Sequence, residues 1–483
     1  SGELIISSGN LSISKIKQKN LTINGGNFNA SPVSFPWSET EVCTINGGFF
    51  QCDRNFDELG ISGWDDSPLF KANDLSINAG KFGRGNIYDN TVFGCKVAEG
   101  KSILAECDET GSGDIFLNVV DSQQVGSFSV SGQGRYDYSN RNLTLSDGAN
   151  VTVSSSESVN DSIVVEPFAD VTLTLNGVDI YSISSAISLG EGSNLTLILN
   201  NGTENVMRTM EIKKTVVETK AESVLNIEGI GSLEVEACQD GFGIGSSMDG
   251  GNAQINIKNG NITAIGASNA AAIGGNHDMK INISGGKIKA VGDSDHMYGI
   301  GIGGKEGTKI VISGGDIVAE GYHYAGIGSE NNGSIQIDGG KIKATGYAGA
   351  AAIGGDVDSI TINGGAIEAE TPIQNSYGCG AAIGTSAFGK GVQKNARVDK
   401  IIINGGNIFA SSSTDSLSAC IGGGEGLTSV GSIAISNGTV VTSGGACGIG
   451  SSAGGANTIF STGNGSSVII TNSISDVSGR DNW

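Results

Sequence analysis

Positive charge is scarce in this sequence: 28 Lys and Arg stand against 50 Asp and Glu, a formal charge of −22. A surface of that sign repels phosphate backbones and anionic lipid, so nucleic acid is not an expected partner. Long apolar runs are missing as well. No stretch approaches the ~18 consecutive apolar residues that cross a bilayer, so no membrane span is expected within this segment. The opening SGELIISSGN has neither a basic n-region nor an apolar h-region and reads as a mature or excised segment. Only 5 prolines and 16% charged residues occur beside 38% hydrophobic ones, which excludes a disordered, charge-rich chain. Glycine is abundant at 78 residues but follows no three-residue period, which excludes collagen.

Cysteine is sparse too. Eight in 483 residues cannot form a disulfide scaffold, and none has the C-x-x-C spacing of zinc or thioredoxin sites. Three pairings remain open if the protein is secreted. Cys43 and Cys52 flank TINGGFFQ, Cys95 and Cys107 lie close in sequence, and Cys420 and Cys447 fall in adjacent repeats. The alternative for each is a small buried thiol filling a core column.

What the chain does have is repetition. Aligned on I-x-I-x-G-G-x-I-x-A, copies begin at Ile255, Ile281, Ile310, Ile335, Ile360, Ile401 and, more worn, Ile433. The spacing tolerates insertions while the strand pattern persists, as expected where each repeat is one coil and extra residues leave it as loops. Within a copy, Ile281 and Ile283 share one face and Asn282 and Ser284 the other; past the glycines Ile288 and Ala290 turn inward, and Lys287 and Lys289 outward. The fifth slot carries Gly285, Gly314, Gly339, Gly364 and Gly405 but Asn259 and Asn437, so a left-handed backbone is expected there. The sixth is glycine in every copy, as if a side chain would strike the neighbouring coil. AAIGG-type punctuation near Gly275, Gly304, Ser329, Gly355, Thr385 and Gly424 supplies a third strand and corner.

Three strands per turn of about 25 residues predict an all-β fold, a right-handed parallel β-helix whose coils stack at ~4.8 Å. Residues 1–130, with longer loops, four cysteines, Trp37 and Trp64, form an N-terminal β-helix or cap region. Residues 131–483 form the regular helix, with the best repeats over 225–450. The one stretch with a helical pattern is 205–223.

The runs ADVTLTLNGVDIYSISSAISLGEGSNLTLILNNGTEN from Ala169 and SVLNIEGIGSLEVEA from Ser223 lead into the ISGGKIKA coils. Together, over roughly 140–470, they resemble the β-helix ectodomains of large surface proteins of clostridia and related Gram-positive bacteria. That family is of carbohydrate-binding domains, similar to pectate-lyase-like helices but without established lyase activity. The resemblance implies the fold, a cell-surface location and a glycan ligand.

Candidate site residues fall in columns. Tyr298, Tyr322, Tyr324, Tyr347 and Tyr377 lie in one insertion between the bend and the third strand. Stacked coils would set them in a ladder of amphipathic rings suited to sugar faces; the alternative is that they cover the loops. Asp278, Glu306, Glu330, Asp356 and Asp358 follow the third strand, where converging carboxylates can hold Ca²⁺; the alternative is solvated turn charge. All three histidines, His277, His296 and His323, fall in the same region; His296 and His323 occupy corresponding loops of neighbouring coils, with a metal or a pH response as their functional reading and plain surface-loop histidines as the alternative. No column breaks the repeat with convincing catalytic chemistry, and sequons such as Asn142, Asn194 and Asn282 arise readily from composition alone. The expectation is a non-catalytic extracellular or cell-surface β-helix that binds polysaccharide or cell-surface glycan in the manner of an adhesin. Its alternatives are a structural rod that associates end to end into filaments, and a polysaccharide lyase.

Overall fold

Alternating Ile-x-Ile runs can bury one edge only by stacking on copies of themselves, and the computed structural model of the chain shows that stack. It describes residues 3–13, 16–17, 19–30, 38–52, 70–82, 91–92, 95–96, 101–107, 115–246, 251–292, 298–372, 378–387, 396–414, 416–451 and 459–470. The fold is all-β, a solenoid of about 12 turns with coils about 28 residues apart. The turns are fewer than a 25-residue period predicts because inserted loops lengthen several coils.

One turn runs through three faces. Lys280–Ile283 lies on the first and Lys287–Gly292 on the second; Gly299–Ile312 then crosses the third face and continues into the first-face strand of the next coil. Pairing between coils is parallel and keeps the sequence repeat in register. On the first face Ile255, Ile281, Ile310, Ile335, Ile360, Ile401 and Ile433 form one column. On the second, Ile262, Ile288, Ile317, Ile342, Ile367 and Ile408 form another. None of these side chains is more than 3% exposed. At about 1.5–3 kcal/mol for each buried aliphatic side chain, the columns drive the stacking.

The bend differs from the expectation. Positive φ belongs to the sixth slot, from Gly260 to Gly438, at values between +88° and +110°; the fifth slot has none. Asn259 and Asn437 are therefore tolerated in the fifth slot without strain, and each accepts a hydrogen bond from the following glycine N–H, at 2.9 and 2.8 Å.

Outward, the coils are joined by side-chain amides. Asn194, Asn226, Asn256 and Asn282 form a continuous ladder that starts on Asp170, with links of 2.6–2.9 Å. A second ladder joins Asp338, Asn363, Asn404 and Ser436. Asn194 and Asn282, sequon residues by sequence, are thus rungs of the fold.

Toward the N-terminus the same logic holds in smaller sheets. Leu21, Cys43 and Leu75 pair in register, and Asn24, Asn46 and Asn78 form a ladder. A continuous sheet of 34 strands begins at Gln123. The stretch 205–223 is not helical: it holds the strands Glu204–Thr209 and Val217–Glu218, and Met207 and Val217 are buried.

The third face depends on a glycine column, Gly245, Gly274, Gly303, Gly328, Gly354, Gly384, Gly422 and Gly450. At Gly303 φ is +146°, and a Cβ would fall on the carbonyl oxygen of Gly328. Gly148 also has positive φ, +75°, but faces open space. Gly303→Ala should therefore lower stability by more than ~4 kcal/mol, and Gly148→Ala by only the ~1–2 kcal/mol of a left-handed alanine. Chemical denaturation of both variants checks this; similar losses would overturn the stacking account.

Candidate functional site

Strand parity decides what each coil shows to solvent. In Lys341–Tyr347 the inward residues are Ile342, Ala344 and Gly346, so Lys341, Lys343, Thr345 and Tyr347 point outward, although Thr345 is covered by its neighbours and buried. In the coil before it, Asp316–Tyr322 sends out Asp316, Val318, Glu320 and Tyr322. The register sets Tyr322 beside Tyr347, and their rings stack with centroids 4.6 Å apart and planes 23° off parallel. Tyr322 is buried by that contact at 6% exposure, while Tyr347 stays half-exposed.

Tyr324 goes elsewhere. His323 has a φ of +57° and donates its N–H to the Tyr347 carbonyl at 3.1 Å, which turns the chain. Tyr324 then packs on Phe242, Ala270, Ala271 and Ile300. Tyr298 lies over both neighbours, 4.5 Å from the His323 ring and 5.7 Å from that of Tyr324. The described tyrosines thus form two groups, Tyr322 with Tyr347 and Tyr298 with Tyr324, instead of one ladder. Tyr377 and His296 lie outside the described residues.

Charge surrounds the first group. Glu320, Thr345 and Glu370 share one outward column on three successive coils. Burial raises the Tyr347 hydroxyl above its ordinary value, and Glu320 and Glu370 push it further the same way. Lys343 bridges Glu368 at 2.8 Å and Glu370 at 3.4 Å. The hydrogen bond to Glu368 raises the Lys343 ammonium and lowers the Glu368 carboxyl.

The five carboxylates expected in one column do not converge. Glu306 pairs in register with His277 and Asn331, and its carboxylate meets the His277 ring at 3.1 Å on the exposed surface. Asp278 is exposed at a φ of +45°, Asp358 is exposed on the strand Val357–Ile362, and Asp356 is half-buried, with burial raising its carboxyl. Glu330 is half-buried on the strand Ile327–Ile337, close enough to Tyr324 for its charge to act on that hydroxyl. Among the described residues no three His, Cys, Asp or Glu side chains come together as a metal site. Strand alternation separates residues that look aligned in sequence.

Of the two readings left open for Cys420 and Cys447, the structure shows buried thiols and no bridge between them. The register pairs Ala419 with Cys447, which leaves Cys420 one residue out of step. Cys420 is a free thiol that donates to the carbonyls of Ser443 and Gly444 at 3.3 and 3.1 Å, and burial pushes it up to about 11. Cys447 donates instead to the Ser451 carbonyl. Cys43 fills a buried inward slot. The side chains of Cys52, Cys95 and Cys107 lie outside the described residues.

Two exposed apolar features escaped the sequence reading. Phe168 is 74% exposed at a φ of +60°, a turn slot that neighbouring coils fill with Gly148 and Gly192. An aromatic residue where the pattern supplies glycine was the available signal. Tyr181, Ile183, Met210 and Ile212 are also exposed, on two successive coils.

The family description of the beta helix repeat matches residues 255–277, 281–307 and 335–356, stretches that coincide with coils of the solenoid. No curated protein and no solved structure matches the chain. The chain is a parallel β-helix protein.

The second tyrosine group carries a pH-sensitive carboxyl. Burial pushes Glu330 from 4.5 up to about 7, with Lys305 opposing weakly, and burial, Glu330 and Tyr298 push Tyr324 up to about 12. A carboxyl raised on folding favours the folded state while it stays neutral. Its penalty develops as pH rises from 4.5 to about 7 and persists above. Full ionisation costs about 3 kcal/mol. Glu330→Gln should therefore match the parent near the acid end of that range and melt a few degrees higher at its alkaline end, in paired thermal unfolding; a variant less stable at both would overturn the assignment.

Proposed function

We propose that this chain is a non-catalytic, extracellular or cell-surface β-helix that binds polysaccharide along the tyrosine-bearing flank of its best-repeated coils. The observation that carries the reading is the pairing of tyrosine rings on consecutive coils, partly exposed Tyr347 on buried Tyr322 and partly exposed Tyr298 with Tyr324. Tyrosine offers an apolar face to the C–H side of a pyranose and a hydroxyl to its rim, and here the backbone carrying it is held by pairing on both sides. The resemblance of roughly residues 140–470 to surface-protein ectodomains supports the same location and ligand class. An acidic, rigid rod suits display from a cell surface, where adhesion to glycan is its work.

Binding to a broad glycan and polysaccharide array, with calcium and with chelator, tests the proposal. A hit is expected, and Tyr298→Ala with Tyr347→Ala should weaken it about five-fold or more, two aromatic contacts at ~0.5–1.5 kcal/mol each. Thermal unfolding checks that the rod is intact. A blank array in both conditions would overturn the carbohydrate reading and leave a structural, end-to-end rod. Release of unsaturated sugars from a bound polymer would overturn its non-catalytic part.

A further inference from the structure

The tyrosine flank has a sign. Across three successive coils the second face sends out Asp316, Glu320, Glu368 and Glu370 against only Lys341 and Lys343. Both lysines are engaged, Lys343 with Glu368 at 2.8 Å and Glu370 at 3.4 Å, and Lys341 with Asp316 at 3.5 Å. Glu320 forms no ion pair among the described residues and is half-exposed. Thr345, itself buried at 5% exposure, separates it in register from Glu370, so the backbone positions carrying the two carboxylates stand ~10 Å apart, two coil spacings, with the covered threonine between them. Tyr347 is the next outward residue along the strand from Thr345.

A pyranose resting against Tyr347 therefore places its substituents over Thr345, between two carboxylates. An ammonium substituent there makes a charge-assisted hydrogen bond to Glu320 and meets the field of Glu370. A uronic acid carboxylate meets like charge from both sides. An N-acetyl group gains neither attraction nor repulsion.

We infer that this flank selects polysaccharides of amino sugars carrying free amines, through Glu320 beside Tyr347, and rejects uronic acid polymers. The inference rests on the carbohydrate reading and adds to it the charge class of the ligand.

The test is calorimetric binding of the whole chain to three short oligosaccharides: glucosamine oligomers, their fully N-acetylated counterparts, and oligogalacturonate. Mildly acidic buffer keeps the amines charged, and physiological salt suppresses non-specific attraction to the acidic protein. The free-amine oligomer should bind at least about ten-fold tighter than the acetylated one, an interaction worth ~1.4 kcal/mol, and the galacturonate least. Glu320→Gln should abolish most of that preference, whereas Glu222→Gln, an exposed carboxylate on another face, should leave it unchanged. Equal loss in both variants would mean a diffuse charge effect and overturn the site. Equal affinity for free-amine and acetylated oligomers, or tighter binding of galacturonate, would overturn the charge class and leave carbohydrate binding standing. Failure of all three oligomers beside an array hit for another sugar would also overturn this inference alone; failure of all three beside a blank array would remove the carbohydrate reading itself.

Discussion

Everything in this molecule follows from the contact of one coil's backbone with the next at ~4.8 Å. That spacing leaves no room for a Cβ where carbonyls and Cα atoms of successive turns lie over one another, which is why the third face keeps its column from Gly245 to Gly450. Elsewhere the same spacing rewards identical residues in identical slots. Isoleucine over isoleucine fills the interior without gaps, and asparagine over asparagine closes amide hydrogen bonds at 2.8 Å. The repeat is therefore the sequence-level image of a single distance.

Function is confined to what that distance leaves free. Inward slots and corner glycines are committed to the stack, so only outward slots and inserted loops can vary. Register then makes each outward residue the neighbour of its counterparts above and below, so Tyr322 meets Tyr347 and Glu306 meets His277. Chemistry in such a scaffold is assembled between coils. A cluster read along one coil alone is misleading, because alternation sends adjacent residues to opposite sides.

That explains which parts were readable in the sequence. The isoleucine columns and the three-faced turn follow from period and parity, and each aligned residue pairs with the residue expected. The left-handed slot was misplaced by one because asparagine, which accepts positive φ, occupies the fifth slot for a different reason, to bond the following N–H. The sequence put the tyrosines in one insertion, yet the turn at His323 divides the described ones, and a residue that enters the left-handed region only now and then gives no firm sign of such a turn. Cys420 and Cys447 missed each other by one residue of register, which loop insertions between the coils set. Glu330 carried no sign in sequence that its carboxyl would be desolvated, since it lies on the strand Ile327–Ile337 between buried Ser329 and exposed Asn331.

The amide ladders give the rod a direction. In every link from Asn282 back to Asp170, and from Ser436 back to Asp338, the donor belongs to the later coil and the acceptor to the earlier one. Aligned bond dipoles add along such a row, much as peptide dipoles add along a helix, with the positive end toward the first coil. Each row ends there on an aspartate, a group that only accepts and whose negative charge compensates that end. The solenoid is thus electrically polar along its axis, and a change of the terminal aspartate would be felt by amides several coils away.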